Sequence, residues 1–184
     1  KDFNPTLYMD RKESKRMDRY TQFAIVAATE ALADSKLNLD NINKQRVGVL
    51  VGSGIGGLST IEAQIRSLVN KGPNRVAPLT IPMSISNIAS GAIAIKFGLL
   101  GSSFSITSAC SSSTHCIGEA YRNIKDGYSD IIFAGGSEAS ICEFGISSFQ
   151  SLTALSKSED RNRASIPFDL NRNGFVMGEG AGVL

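Results

Sequence analysis

The 184-residue chain has no tryptophan, a single histidine (His115) and three cysteines (Cys110, Cys116 and Cys142), and each scarcity removes a class of function. Three cysteines make neither an even disulfide set nor a CxxC pair, and one histidine leaves no zinc-ligand constellation. A reducing, cytosol-like compartment without a structural metal follows. Aromatics are 7% of the residues and the net charge is only +2, which argues against a stacking platform for nucleic acid or a globally basic face. No apolar run approaches the roughly 18 residues of a membrane span, and Lys1-Asp2-Phe3-Asn4-Pro5 lacks the apolar core of a signal peptide. The chain reads as soluble, with no nucleic-acid or membrane partner. An initiator methionine is missing, and the sequence stops at Leu184 inside a glycine-rich turn entering a strand, so it reads as truncated at both ends.

What is present is enough for one well-buried domain: 42% of the residues are hydrophobic. Met17 to Asp34 carries Tyr20, Phe23, Ala24, Ala27 and Ala31 at helical spacing. Arg46 to Val51 is a short apolar run closed by Gly52, as in a strand buried on both faces. A second helix is predicted from Leu58, Ile61, Ile65 and Leu68, ending near residue 70. A loop is predicted to about Pro82, then a third helix from the stripe Ile85, Ile88, Ala92 and Ile95. Ser103 to Thr107 alternates as a strand, Ile117, Ala120, Tyr121 and Ile124 mark a further helix, and Asp130 to Ala134 reads as a strand closed by Gly135-Gly136. Alternating helical and extended signals imply an α/β layered domain with a mixed, mostly parallel sheet and helices on both faces.

The junction Thr107-Ser108-Ala109-Cys110-Ser111-Ser112-Ser113-Thr114 is the strongest chemical signal. A cysteine between a strand and a helix start meets unpaired backbone N–H groups, which favour thiolate and can hold an oxyanion. Its small neighbours leave room for a substrate. The competing reading is a buried core thiol, the commonest fate of a free cysteine. His115 is a poor partner, because five positions along a helix of about 3.6 residues per turn separate the two side chains by roughly 140°. Cys116 and Cys142 are expected to fill core space. Gly52-Ser53-Gly54-Ile55-Gly56-Gly57 formally matches a dinucleotide fingerprint, but Lys71-Gly72-Pro73-Asn74-Arg75 stands where the ribose-binding acid belongs, so a tight loop projecting Ile55 toward a cavity is preferred. Arg11 to Arg19 concentrates basic residues ahead of a helix; it is either a solvated face or a surface for an acidic partner, which Arg75 would extend.

Taken together, the motifs at residues 11–18, 52–57, 107–111, 134–138 and 167–182 resemble the N-terminal half of a β-ketoacyl-acyl carrier protein synthase, closest to the elongating type II enzymes of bacterial and plastid fatty acid synthesis. The resemblance spans residues 1–184 and implies a thiolase-like, layered αβαβα fold of which this chain is the first half. It makes Cys110 the acyl-accepting nucleophile of a decarboxylative condensation with malonyl-carrier, and Ile55 a lining residue of the acyl pocket with Phe149 beside it. Thr80 and Ile81 would approach the pocket of the other subunit of a homodimer. Lys12, Lys15 and Arg16, extended by Arg75, would dock the acidic acyl carrier protein. No cofactor is implied beyond the carrier's phosphopantetheine, and the location would be cytoplasmic, or plastid stroma. Gly101-Ser102 stands where Gly-Pro is usual, Cys110 is followed by three serines, and the family's two catalytic histidines have no counterpart here. Residues 1–184 alone are therefore expected not to complete condensation. A ketosynthase domain of a polyketide assembly, or a chain-length-factor-like subunit, shares these motifs; the latter normally lacks the cysteine.

Overall fold

A computed structural model describes residues 3–184; Lys1 and Asp2, part of the segment read above for targeting, lie outside the described residues. In chain order the main elements are α1 (Arg11–Ser14), α2 (Arg19–Ser35), β1 (Val47–Gly52), α3 (Leu58–Lys71), α4 (Thr80–Ser84), α5 (Ile88–Phe97), β2 (Ser103–Phe104), α6 (Ser112–Lys125), β3 (Ile131–Glu138), α7 (Glu143–Ser151) and β4 (Gly180–Val183). The sheet runs β2-β1-β3-β4, with β1 parallel to both neighbours and β4 antiparallel to β3. The expected mixed, mostly parallel sheet is thus present.

The alternation of a pleated strand divides the core in two. Val47, Val49, Val51 and Phe133 face one way and pack with Ala24, Ile25 and Ala28 of α2 and Ala89 and Ile93 of α5. Leu50, Ile132 and Ala134 face the other way and meet Cys116 and Ala120 of α6. Asp18 starts α2 by accepting the Tyr20 N–H at 3.3 Å, and the same carboxylate takes the Thr60 N–H (2.9 Å) and hydroxyl (2.6 Å). One buried acid therefore ties the starts of α2 and α3 together.

The structure departs from the sequence reading in four places. Strand β3 does not close at Gly135-Gly136 but continues to Glu138, because its glycines let β4 pass close by: a Cβ on Gly135 would overlap the Gly182 carbonyl. Strand β2 is two residues long rather than five, because the buried Ser90 hydroxyl intrudes between the strands, accepting the Val51 N–H at 2.9 Å and donating to the Phe104 carbonyl at 2.9 Å. The predicted loop before Pro82 contains a turn at Pro73–Arg75 and the start of α4.

The fourth concerns which helix face is buried. Ile85 precedes α5, and Ile95 is 81% exposed while Ala89, Ser90 and Ile93 face inward. Likewise Ile117, Tyr121 and Ile124 of α6 are exposed, with Cys116 and Ala120 buried, and Ile65 and Leu68 of α3 are also exposed. The buried face is set by where each helix meets the sheet: α5 turns Ala89, Ser90 and Ile93 toward it and α6 turns Cys116 and Ala120, which leaves the other apolar positions outside.

Candidate active site

The site is assembled where three chain segments approach without side chains between them. A Cβ on Gly52, at the end of β1, would lie 2.8 Å from the Ser112 carbonyl, and one on Gly136 of β3 would lie 2.6 Å from the Ser113 Cβ. Glycine at both positions lets the start of α6 sit against the carboxyl ends of two parallel strands, the end of an open α/β sheet where ligands bind.

Cys110 lies in a 3₁₀ turn, Ala109–Ser111, that leads directly into α6, and it is exposed. Ala109 has φ +52°, a left-handed conformation that costs an L-residue with a Cβ roughly 1–2 kcal/mol. Hydrogen bonds hold it there: the Ser112 hydroxyl accepts the Ser108 N–H at 2.9 Å and donates to the Ala109 carbonyl at 2.7 Å. Among the described residues no group accepts the Cys110 N–H, which leaves that donor beside its own sulfur.

Cys110, Ile55 and Phe149 line one cleft of about 500 Å³. Phe149 packs edge-on against Phe175, with ring centroids 5.7 Å apart, and Met177 adds to the same apolar wall. The opposite lining is polar. Glu138, the last residue of β3, accepts the Gly54 N–H at 2.7 Å and the hydroxyls of Ser53 (3.0 Å) and Ser140 (3.2 Å). Ser53 in turn accepts the Gly56 N–H at 2.8 Å. The loop carrying Ile55 is therefore fastened to the end of β3. Sequence reasoning gave Glu138, Phe175 and Met177 no role, although the first lies in the motif Ala134-Gly135-Gly136-Ser137-Glu138 and the others in the segment after Pro167. The same geometry disfavours a dinucleotide, since Glu138 occupies the Gly54 N–H that a phosphate would use and brings negative charge to the loop.

The remaining predicted residues lie elsewhere. Thr80 and Ile81 open α4, with Ile81 68% exposed, and neither lines the cleft. Lys12 lies in α1 and Lys15 caps it, Arg16 follows, and all three are exposed. Arg75 is exposed on the separate turn after α3. Among the described residues none of these four cations is paired with a carboxylate.

His115 Nδ1 is 2.6 Å from the Ser108 hydroxyl, and among the described residues no hydrogen bond joins it to Cys110. Cys116 is a core residue, fully buried, and burial pushes its thiol up. Cys142 is not a core filler. It is half-buried and caps α7, its sulfur accepting the Gly145 N–H at 3.4 Å, because a sulfur can stand in for the usual capping oxygen. Burial, and then the neighbouring Glu62, push its thiol up as well.

Known proteins place this geometry. The whole chain, residues 1–184, matches the family described as beta-ketoacyl synthase, N-terminal domain. It is 45% identical over its full length to a 3-oxoacyl-[acyl-carrier-protein] synthase 2 of Synechocystis and 44% identical to one of Staphylococcus aureus, and it spans 44% of the length of each. Among solved structures, 90% of the chain superposes on 42% of a type II polyketide ketosynthase in complex with its acyl-carrier protein, with TM-score 0.82 and 32% identity. The full chain superposes on 44% of the ishigamide ketosynthase/chain length factor, with TM-score 0.88 and 26% identity. The turn carrying Cys110, the glycine-rich approach and the four-stranded sheet thus sit in a thiolase-like frame, and the chain belongs to the N-terminal domain family of the β-ketoacyl synthases.

Proposed function

We propose that this chain is the nucleophile-bearing half of a 3-oxoacyl-[acyl-carrier-protein] synthase that elongates fatty acyl chains. The observation that carries the reading is the placement of Cys110, exposed on a strained turn, in the wall of a cleft shared with Ile55 and Phe149. The Cys110 thiolate attacks the thioester carbon of an acyl-carrier, a new carbon–sulfur bond forms as the old one breaks, and the carrier's phosphopantetheine leaves as a thiolate that takes up the proton Cys110 released. The Cys110 N–H is suited to the tetrahedral oxyanion, and the apolar wall to the acyl chain. Malonyl-carrier then loses carbon dioxide, and its carbanion attacks the acyl carbon and expels the Cys110 thiolate. The proposal assigns that second step to histidines supplied from outside residues 1–184, because His115, the sole histidine, is engaged with Ser108. No cofactor is required beyond the carrier's own arm.

The acidic carrier is proposed to dock on Lys12, Lys15 and Arg16, with Arg75 as an outlying contact, since exposed cations without carboxylate partners are available to a partner's charge. A homodimer is proposed as well: β2 pairs only with β1 among the described residues, and the exposed Ile81 beside Thr80 on α4 is available to a second subunit. Among the described residues no helix is long and apolar enough to cross a membrane. A cytoplasmic setting, or plastid stroma in a eukaryote, is proposed from the similarity to bacterial 3-oxoacyl-[acyl-carrier-protein] synthases. The fatty-acid assignment rests on the higher identity to the 3-oxoacyl-[acyl-carrier-protein] synthases than to the polyketide ketosynthase, 45% against 32%.

Incubation with a radiolabelled acyl-carrier thioester tests the proposal. The label is expected on Cys110 and to disappear in Cys110→Ala; no thioester on Cys110 overturns it.

A further inference from the structure

The three serines after the nucleophile have different surroundings, and only one of them spans the strained residue. Ser112 is buried at 3% exposure, and its hydroxyl bonds groups on both sides of Ala109: the Ser108 N–H before it and the Ala109 carbonyl after it. Ser111 does not do this. Its hydroxyl reaches the Ser108 carbonyl at 2.8 Å and the Ser108 hydroxyl at 3.2 Å, both on the same side of Ala109. Ser113 packs its Cβ toward Gly136 and faces the cleft.

We propose that Ser112 is a positioning residue for Cys110: its hydroxyl clamps Ala109 in the left-handed conformation and so holds the thiol at the cleft wall. The inference rests on the reading of Cys110 as the acyl acceptor. An alanine at φ +52° is disfavoured when left to itself. A single hydroxyl that receives the N–H before Ala109 and donates to the carbonyl after it favours the conformation that brings both groups to it, and satisfies a backbone N–H that has no other partner among the described residues. Removing the hydroxyl leaves the Ser108 N–H without its partner and takes one of two donors from the Ala109 carbonyl, which keeps the Ser112 N–H, and relaxation of Ala109 redirects the Cα–Cβ bond of the next residue. His115 cannot replace the clamp, because it holds the Ser108 side chain and not the backbone around Ala109.

The test is a double-mutant cycle of Ser112→Ala with Ala109→Gly, read by Cys110 acylation and by urea unfolding. Ser112→Ala is expected to slow acylation at saturating acyl-carrier by about 10- to 100-fold, the scale of a nucleophile misplaced by an ångström. The half-saturating carrier concentration should not move. Ser112→Thr, which keeps the hydroxyl, is expected to stay within about threefold of wild type, a difference below 1 kcal/mol. Glycine tolerates the left-handed region, so Ala109→Gly should recover part of both losses caused by Ser112→Ala. If Ser112→Ala does not fold alone, the Ala109→Gly background supplies the comparison with Ser112→Thr. Equal acylation rates in wild type and Ser112→Ala, or unfolding losses that Ala109→Gly leaves unchanged, overturn the proposal. Absence of acylation in the wild type instead sinks the reading of Cys110, and the unfolding cycle still decides the clamp.

Discussion

The Glu138 carboxylate at the end of β3 accepts the Gly54 N–H at 2.7 Å, so the last residue of one strand holds the loop that leaves its neighbour. Ser53 and Ser140 add their hydroxyls to the same carboxylate. Glu138→Ala should lower stability by about 2–3 kcal/mol, the scale of hydrogen bonds to a charged acceptor, and slow acylation of Cys110 by releasing the loop that carries Ile55. Glu138→Gln keeps one acceptor oxygen and should cost less. Urea denaturation and the acylation assay measure both, and a wild-type midpoint for Glu138→Ala would remove the role given to this carboxylate.

Glycine substitutions should separate sharply by position. Gly135→Ala places a methyl into the Gly182 carbonyl and is expected to cost about 1–3 kcal/mol or more by prying β4 from the sheet. Gly118→Ala meets nothing within 4 Å on the exposed face of α6 and should stabilise by roughly 0.5–1 kcal/mol. Thermal melting of the two variants distinguishes them by sign.

The thiols should react in order of access. Iodoacetamide followed by peptide mapping is expected to modify the exposed Cys110 first, the half-buried Cys142 next and the buried Cys116 last. Burial raises the Cys116 thiol above its ordinary 9.0, so the folded chain binds that proton more tightly than the unfolded chain. Its contribution is complete below the unfolded value and is lost as pH rises through the folded one. Stability should fall above about pH 9, with a shallower slope in Cys116→Ala.

Tyr20 gives a second alkaline signature. It is fully buried, and its hydroxyl donates to the Ile85 carbonyl at 2.5 Å, joining α2 to the segment between α4 and α5. Burial pushes its ionisation far above 10.0, so stability present at neutral pH declines once the unfolded tyrosine begins to ionise, near pH 10. Tyr20→Phe should cost about 0.5–1.5 kcal/mol at neutral pH, for one hydrogen bond lost from a carbonyl that keeps the Ile88 N–H at 3.3 Å, and should flatten the decline above pH 10.

Carrier docking is expected to depend on salt and on α1. Reversing Lys12, Lys15 and Arg16 to glutamate should weaken acyl carrier binding at least about tenfold at low ionic strength and reduce its sensitivity to sodium chloride. Titration calorimetry at two salt concentrations checks this; unchanged affinity would move the docking face elsewhere.

Much of this architecture is legible along the chain because it depends on local chemistry. The run Val47 to Val51 has the apolar density of a strand covered on both faces, and it is the centre of the sheet. Helices α2, α3 and α6 lie close to their periodic stretches. The five ordered motifs carried the family, and residues 1–184 match it. Failures occurred where a distant partner decided the outcome. Gly135-Gly136 looks like a strand end until β4, more than 40 residues later, needs a surface without side chains. The isoleucine stripe of α5 looks like its buried face until the sheet selects Ala89 and Ser90.

The candidate site divides in the same way. By itself the sequence determined that a cysteine stands between an extended segment and a helix, among small residues, because those preferences are written within a few neighbours. The family resemblance implied a pocket lined by Ile55 and Phe149; only the tertiary structure decided that Glu138 fastens the loop carrying Ile55, that Phe175 and Met177 line the same cleft as Cys110, and that the Ser112 hydroxyl spans a left-handed Ala109. Hydrogen bonds and close approaches between segments as far apart as Gly54 and Glu138 exist only after the sheet has brought their ends together.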